Sequence, residues 1–168
     1  MRYFVLIIAL AISMALGGSV LADSANKAIT AMEAYTTESK NLITSLLPEK
    51  VKLRYGKDID ESLALSSKEI KKIRNFEGPG PLRSRHIMEV VEAFFNKQQE
   101  INANTKKEVP RENIKNFNIN VRSLLKLQEK LTDDLQAELN AESGDTKPPK
   151  AVPAIDSSPY EEKGIYDR

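Results

Sequence analysis

From Ser24 to Leu47 the apolar residues Ala28, Met32, Tyr35, Leu42 and Leu46 recur at spacings of three and four, with Ser39 filling the one polar gap in the stripe. That period predicts an amphipathic helix over about 24–47, opened by Asp23 or Ser24 and ended near Pro48. Val51-Lys52-Leu53-Arg54-Tyr55 then alternates strictly before Gly56, which fits a short strand or a last helical turn closed by glycine. Ser66-Ser67-Lys68-Glu69 has capping-box spacing, followed by Ile70, Ile73 and Phe76 on one face and Gly78 as a stop. A short helix is expected there, over about 67–77.

Gly78-Pro79-Gly80-Pro81 is the sharpest break in the body of the chain, because proline lacks a donor and glycine opens unusual backbone conformations. Beyond it, Ile87, Val90, Val91, Phe94, Phe95 and Ile101 share one face of a helix expected over about 84–104. After a connection through Pro110 the longest helix follows, over about 111–141, with the stripe Ile114, Phe117, Val121, Leu124, Gln128, Leu131 and Leu135. Two long helices joined by so short a link pack as an antiparallel hairpin. The fold expected is therefore all-α: a three- to four-helix bundle built on the hairpin at about 84–141, with the first helix laid against it. One segment offers an alternative. Asn116-Phe117-Asn118-Ile119-Asn120-Val121 alternates polar and apolar, and pairing it with Val51–Tyr55 would give an α+β fold with a two-stranded ribbon. Such a ribbon is marginal alone, and the helical spacing runs unbroken through the segment, so helix is preferred.

The two ends differ from this body. Arg2 precedes an apolar run from Phe4 to Leu16, interrupted only by Ser13, and Gly17-Gly18 leads into Val20-Leu21-Ala22. This reads as a signal peptide over 1–22, cleaved before Asp23, which places the mature protein in the periplasm or outside the cell. The alternative is a retained anchor, since Tyr3 to Ala22 is long enough to span a hydrocarbon core of about 30 Å. At the other end, residues 142–168 carry Pro148, Pro149, Pro153 and Pro159 and few large aliphatics, which predicts a disordered tail. Setting both ends aside leaves a helical domain over 23–141 in which Leu, Ile, Val and Phe make up 31 of 119 residues, enough for a lean core.

Composition narrows the chemistry. With no Cys and one His, disulfide frameworks, thiolate metal sites, Cys nucleophiles and His clusters are excluded. Lys and Arg number 25 against 24 Asp and Glu, so the basic excess that marks nucleic-acid binding is missing. Asp58, Asp60 and Glu69 stand at positions 1, 3 and 12 of a stretch spaced like a calcium-binding loop, although Leu63 occupies the turn position where glycine belongs. These three are the candidate metal ligands. His86 lies near the Gly-Pro break and reads as a surface or capping residue. No nucleophile elbow, phosphate loop or dinucleotide fingerprint occurs.

The expectation is an exported, non-enzymatic helical protein without cofactors, acting as an accessory or adaptor through a protein partner or self-association, with Val90, Phe94 and Phe95 as its interaction face. A cation-binding role through Asp58, Asp60 and Glu69 and a membrane-tethered role through the N-terminal run stand as alternatives.

Overall fold

The computed structural model describes residues 24–74 and 80–143. The expected signal peptide over 1–22 and most of the expected tail lie outside that range. Four α-helices follow one another: α1 over residues 24–43, α2 over Glu49–Arg74, α3 over Gly80–Lys106 and α4 over Ile114–Ser143. Short 3-10 turns at Thr44–Leu46 and Arg111–Asn113 lead out of α1 and into α4. There is no strand among the described residues, so the ribbon alternative is wrong.

Local sequence sets the boundaries. Leu47 is extended, at φ −108° and ψ 145°, because Pro48 excludes the helical conformation from the residue before it. The chain re-enters helix at once: the Pro48 carbonyl accepts from Lys52 N at 2.9 Å, and Glu49 in the first turn complements the helix dipole. Pro110 acts similarly ahead of α4, its carbonyl accepting from Asn113 N at 2.9 Å.

The expected break between a strand or turn at 51–56 and a helix at 67–77 is corrected to one helix of 26 residues. Val51, Tyr55, Ile59, Ser62 and Ile70 are its buried residues, and with half-buried Ser66 and Ile73 they form a stripe spaced by three and four from end to end. Gly56 is a helix-interior glycine, and Ser66 to Glu69 is mid-helix rather than a cap.

Contacts between helices give the topology. Ser39 on α1 meets Tyr55 on α2, and Lys40 meets Asp60. Tyr55 meets Asn102 on α3, while Ile73 near the end of α2 and His86 near the start of α3 line one groove. Gln99 meets Gln128 on α4, and Lys27 at the start of α1 pairs with Glu138 near the end of α4 at 3.3 Å. Each helix thus runs antiparallel to its sequence neighbour, and α4 closes the square against α1. This up-down-up-down bundle includes the expected α3–α4 hairpin and adds a second one, α2–α3.

Parallel diagonal helices meet through aromatic rings. Tyr35 of α1 packs edge-on against Phe94 and Phe95 of α3, at centroid distances of 6.1 and 5.1 Å. Met32, Ile59, Val91, Phe117 and Leu124 fill the core around them. A buried hydrogen-bonded chain crosses the core below these rings. The Tyr55 hydroxyl gives its one proton to Asn102 Oδ1 at 2.9 Å, so Ser39 donates to the Tyr55 oxygen. Three helices are thereby held in register.

Candidate functional site

Along the seam between α2 and α3 the neighbouring helices leave a long groove. Facing positions on a helix pair normally interdigitate, but here Ser62 and Ser66 on α2 and Ala93 on α3 are too short to fill the space between the axes. The lower part of the groove, about 680 Å³, has Phe94 and Ile101 among its lining residues. The upper part, about 340 Å³, is lined by Ile73, Val90 and His86. Leu65, Ser66 and Ala93 belong to both, making the groove continuous along most of the hairpin. Leu65 lies on its rim, 66% exposed.

Ion pairs fix the rims. Arg54 bonds Glu108 across the lower mouth, and this partner raises the guanidinium above its ordinary value. Lys97 holds Glu100 at 2.8 Å along α3. At the upper end His86 Nδ1 lies 3.0 Å from Glu89 Oε2 and Arg85 Nε donates to Glu89 Oε1 at 3.1 Å. The hydrogen bond with His86, and after it the one with Arg85, hold the Glu89 carboxyl below the usual carboxylate range. These pairs are exposed and contribute little stability. Their effect is to keep charged side chains extended along the rims, beside the apolar Leu65, Ile73, Val90 and Ala93 of the upper groove.

The structure separates the candidate metal ligands. Asp58, Asp60 and Glu69 stand on one continuous helix and not in a loop. At 100° per residue Asp58 and Asp60 point away from each other, and Glu69 lies roughly 16 Å further along the axis. Asp60 is held by Lys40, whose Nζ donates to both carboxylate oxygens at 2.6 Å, and Glu69 accepts from Lys72 at 2.6 Å. No group of three or more His, Cys, Asp or Glu residues that could hold a metal ion exists among the described residues. The expected loop is therefore corrected: a ligand cage needs a backbone that curls around the ion, and a helix radiates its side chains outward.

The expected interaction face is divided as well. Phe94 and Phe95 are each 1% exposed and belong to the core around Tyr35, and of the two only Phe94 borders the groove. Val90 is half-buried and lines the upper groove. Leu65 and Ala93, which complete the groove with Ile73, were not singled out in the sequence: α2 read as two pieces with Leu65 between them, and Ala93 is too small to stand out beside Phe94 and Phe95. The signal that could have found Leu65 is the stripe from Val51 to Ile73: Leu53 and Leu65 both fall off it and are left exposed.

No protein family, no curated protein and no solved structure matches the chain, so its site is read from its own residues.

Proposed function

We propose that this is an exported accessory or adaptor protein, cleaved before Asp23, that acts by binding another protein along the α2–α3 groove. The observation that carries the reading is the groove itself, whose upper part presents Leu65, Ile73, Val90 and Ala93 between the two helices and opens into a lower part where polar and charged side chains surround Phe94 and Ile101. A groove of this shape, between helices and bordered by fixed charges, suits an amphipathic helix laid lengthwise, with its apolar anchors spaced by three and four. The reading is one of binding rather than catalysis, because Arg54 with Glu108, Lys97 with Glu100 and His86 with Glu89 are engaged in exposed ion pairs along the rims.

The test is affinity capture from the native envelope with the wild-type protein and with a Leu65→Glu, Val90→Glu double variant. Neither residue is in the buried core, so helix content by circular dichroism is expected to be unchanged. A captured protein that is retained by the wild type and lost by the variant supports the proposal. Equal capture by both removes the groove as the binding surface.

A further inference from the structure

The ionisable residues lining the α2–α3 groove are of unequal sign. Asp58, Glu61, Glu69, Glu89, Glu100 and Glu108 border its two parts, against Arg54 and Lys97 as permanent cations, a net charge of −4 with His86 neutral. The whole chain has a net charge of +1, so the excess belongs to this surface and not to composition. Arg54 and Lys97 are already matched, to Glu108 and Glu100. Of the other four carboxylates, Asp58 makes no hydrogen bond or ion pair among the described residues, its charge reaching Arg54 at longer range. Glu61, Glu69 and Glu89 draw on Lys57, Lys72 and Arg85 of their own helices, cations that stand outside the groove lining; Glu89 also meets His86. Such exposed pairs are weak, and a cation arriving from the groove side competes with them.

Charged and apolar residues alternate along the groove. On α2, Asp58, Glu61, Leu65 and Glu69 follow at spacings of three and four, so the exposed Leu65 has a carboxylate one turn before it and one turn after it on the same stripe. On α3, Glu89, Ala93 and Glu100 repeat the pattern, with Lys97 between the last two. From Asp58 to Glu69 the stripe covers roughly 16 Å of helix axis, about three turns. A small cation would use one point of such a row, and the described residues hold no group of three or more acidic, His or Cys side chains that could cage an ion. An occupant that uses the whole row is itself a helix, with apolar anchors at the same spacing and lysine or arginine a turn to either side of them. Residues 142–168 of this chain, with six acidic side chains against four basic, carry the wrong sign for this surface.

We infer that the occupant of the α2–α3 groove is a basic amphipathic helix of another protein, whose apolar anchors meet Leu65, Ile73, Val90 and Ala93 while its lysines and arginines meet Asp58, Glu61, Glu69 and Glu89. The inference rests on the reading of this groove as the protein-binding surface and adds the sign of the partner. Complementary charge of this kind speeds encounter, rejects acidic competitors and makes binding salt-dependent.

The test uses two synthetic peptides of about 18 residues, roughly five helical turns, each with a fluorophore and leucines spaced by three and four. One carries lysine and the other glutamate beside the leucines, with alanine elsewhere. Protein purified from the cell envelope is titrated into each and the anisotropy is read. The lysine peptide is expected to bind, more weakly as salt is raised, and the glutamate peptide to bind about tenfold more weakly or not at all. Asp58→Asn together with Glu61→Gln is expected to weaken the lysine peptide about three- to tenfold, as loss of two exposed charge pairs does. Ala93→Arg, at an exposed position, fills the groove and opposes its sign, and is expected to weaken binding further; helix content should be unchanged in both variants. Equal or stronger binding of the glutamate peptide, lost with Ala93→Arg, overturns the inference and leaves the groove as a binding surface. Binding of neither peptide overturns it too, and capture from the envelope then judges the groove alone. Lysine-peptide binding that neither variant weakens lies elsewhere on the protein and overturns it. So does a mass above the monomer for the protein by itself that Ala93→Arg abolishes, which would make a second copy the occupant.

Discussion

Replacing Gly56 with alanine separates the continuous α2 from the broken element that its local sequence suggests. Gly56 is the eighth residue of a helix of 26, and a Cβ built on it meets nothing within 4 Å. The substitution therefore adds no clash and no packing contact, and its effect reduces to the backbone. In a helix interior alanine is favoured over glycine by about 0.8–1 kcal/mol, because glycine loses more freedom on folding. Gly56→Ala is thus expected to stabilise the protein by roughly 0.5–1 kcal/mol, a rise in Tm of about 2–5 °C for a domain of this size. If Gly56 closed a helix in the left-handed conformation, the same change would cost about 1 kcal/mol or more, so the two arrangements differ in sign. Urea unfolding followed by far-ultraviolet circular dichroism measures it, with an unchanged m-value confirming that only stability has moved. A destabilised Gly56→Ala protein would refute the single helix and with it the placement of Leu65 and Ile73 in one groove.

Gln98 is 1% exposed with neither amide atom hydrogen-bonded among the described residues, so Gln98→Met, of similar length and without the polar group, is expected to add about 1–3 kcal/mol in the same assay; a loss of stability would mean the amide is satisfied. Tyr55→Phe removes the hydroxyl between Ser39 and Asn102 and should cost about 1–2 kcal/mol, a cost that shrinks in an Asn102→Ala background if the two residues act as one chain. Phe94→Ala should cost about 3–5 kcal/mol as a core deletion, against less than about 1 kcal/mol for Val90→Ala at the groove; similar costs would contradict the division of the apolar face. Glu89 has a folded-state pKa below its ordinary value, so its stabilising contribution is complete above the unfolded value and is lost as pH falls through the depressed one. Carboxyl chemical shifts should show Glu89 titrating below its ordinary value, a depression that His86→Ala would reduce and that Arg85 alone would then sustain.

Most of the bundle was legible because three stripes are long and regular. Helix α1 was readable from Ala28 to Leu46, and α3 and α4 from the apolar periods on either side of Pro110. Helix α2 was obscured by physics that acts between helices. Gly56 and the Ser66–Glu69 box are local signals for ending and starting a helix, and both are overridden by burial of the stripe from Val51 to Ile70 against the other helices. The asparagines of α4 misled in a related way. Asn120 Nδ2 donates to the Leu42 carbonyl at 2.6 Å, satisfying an orphan carbonyl where α1 ends, and in the turn before α4 Asn113 Nδ2 donates to the Leu46 carbonyl at 3.0 Å. Their poor helix propensity is offset by a tertiary role that no local pattern displays. The groove was illegible for the same reason as α2: it is a property of two helices side by side, defined by what Ser62, Ser66 and Ala93 fail to fill.

A photo-crosslinking residue installed at Ala93, on the groove shared by both helices, reports in living cells whether that surface meets another protein. A discrete adduct from position 93, with none from the exposed positions Leu53 and Ile119 outside the groove, is the expected result. Adducts from Leu53 or Ile119 with none from position 93, or no adduct at 93 while the protein is folded and exported, would contradict the assignment of the α2–α3 groove as the binding surface.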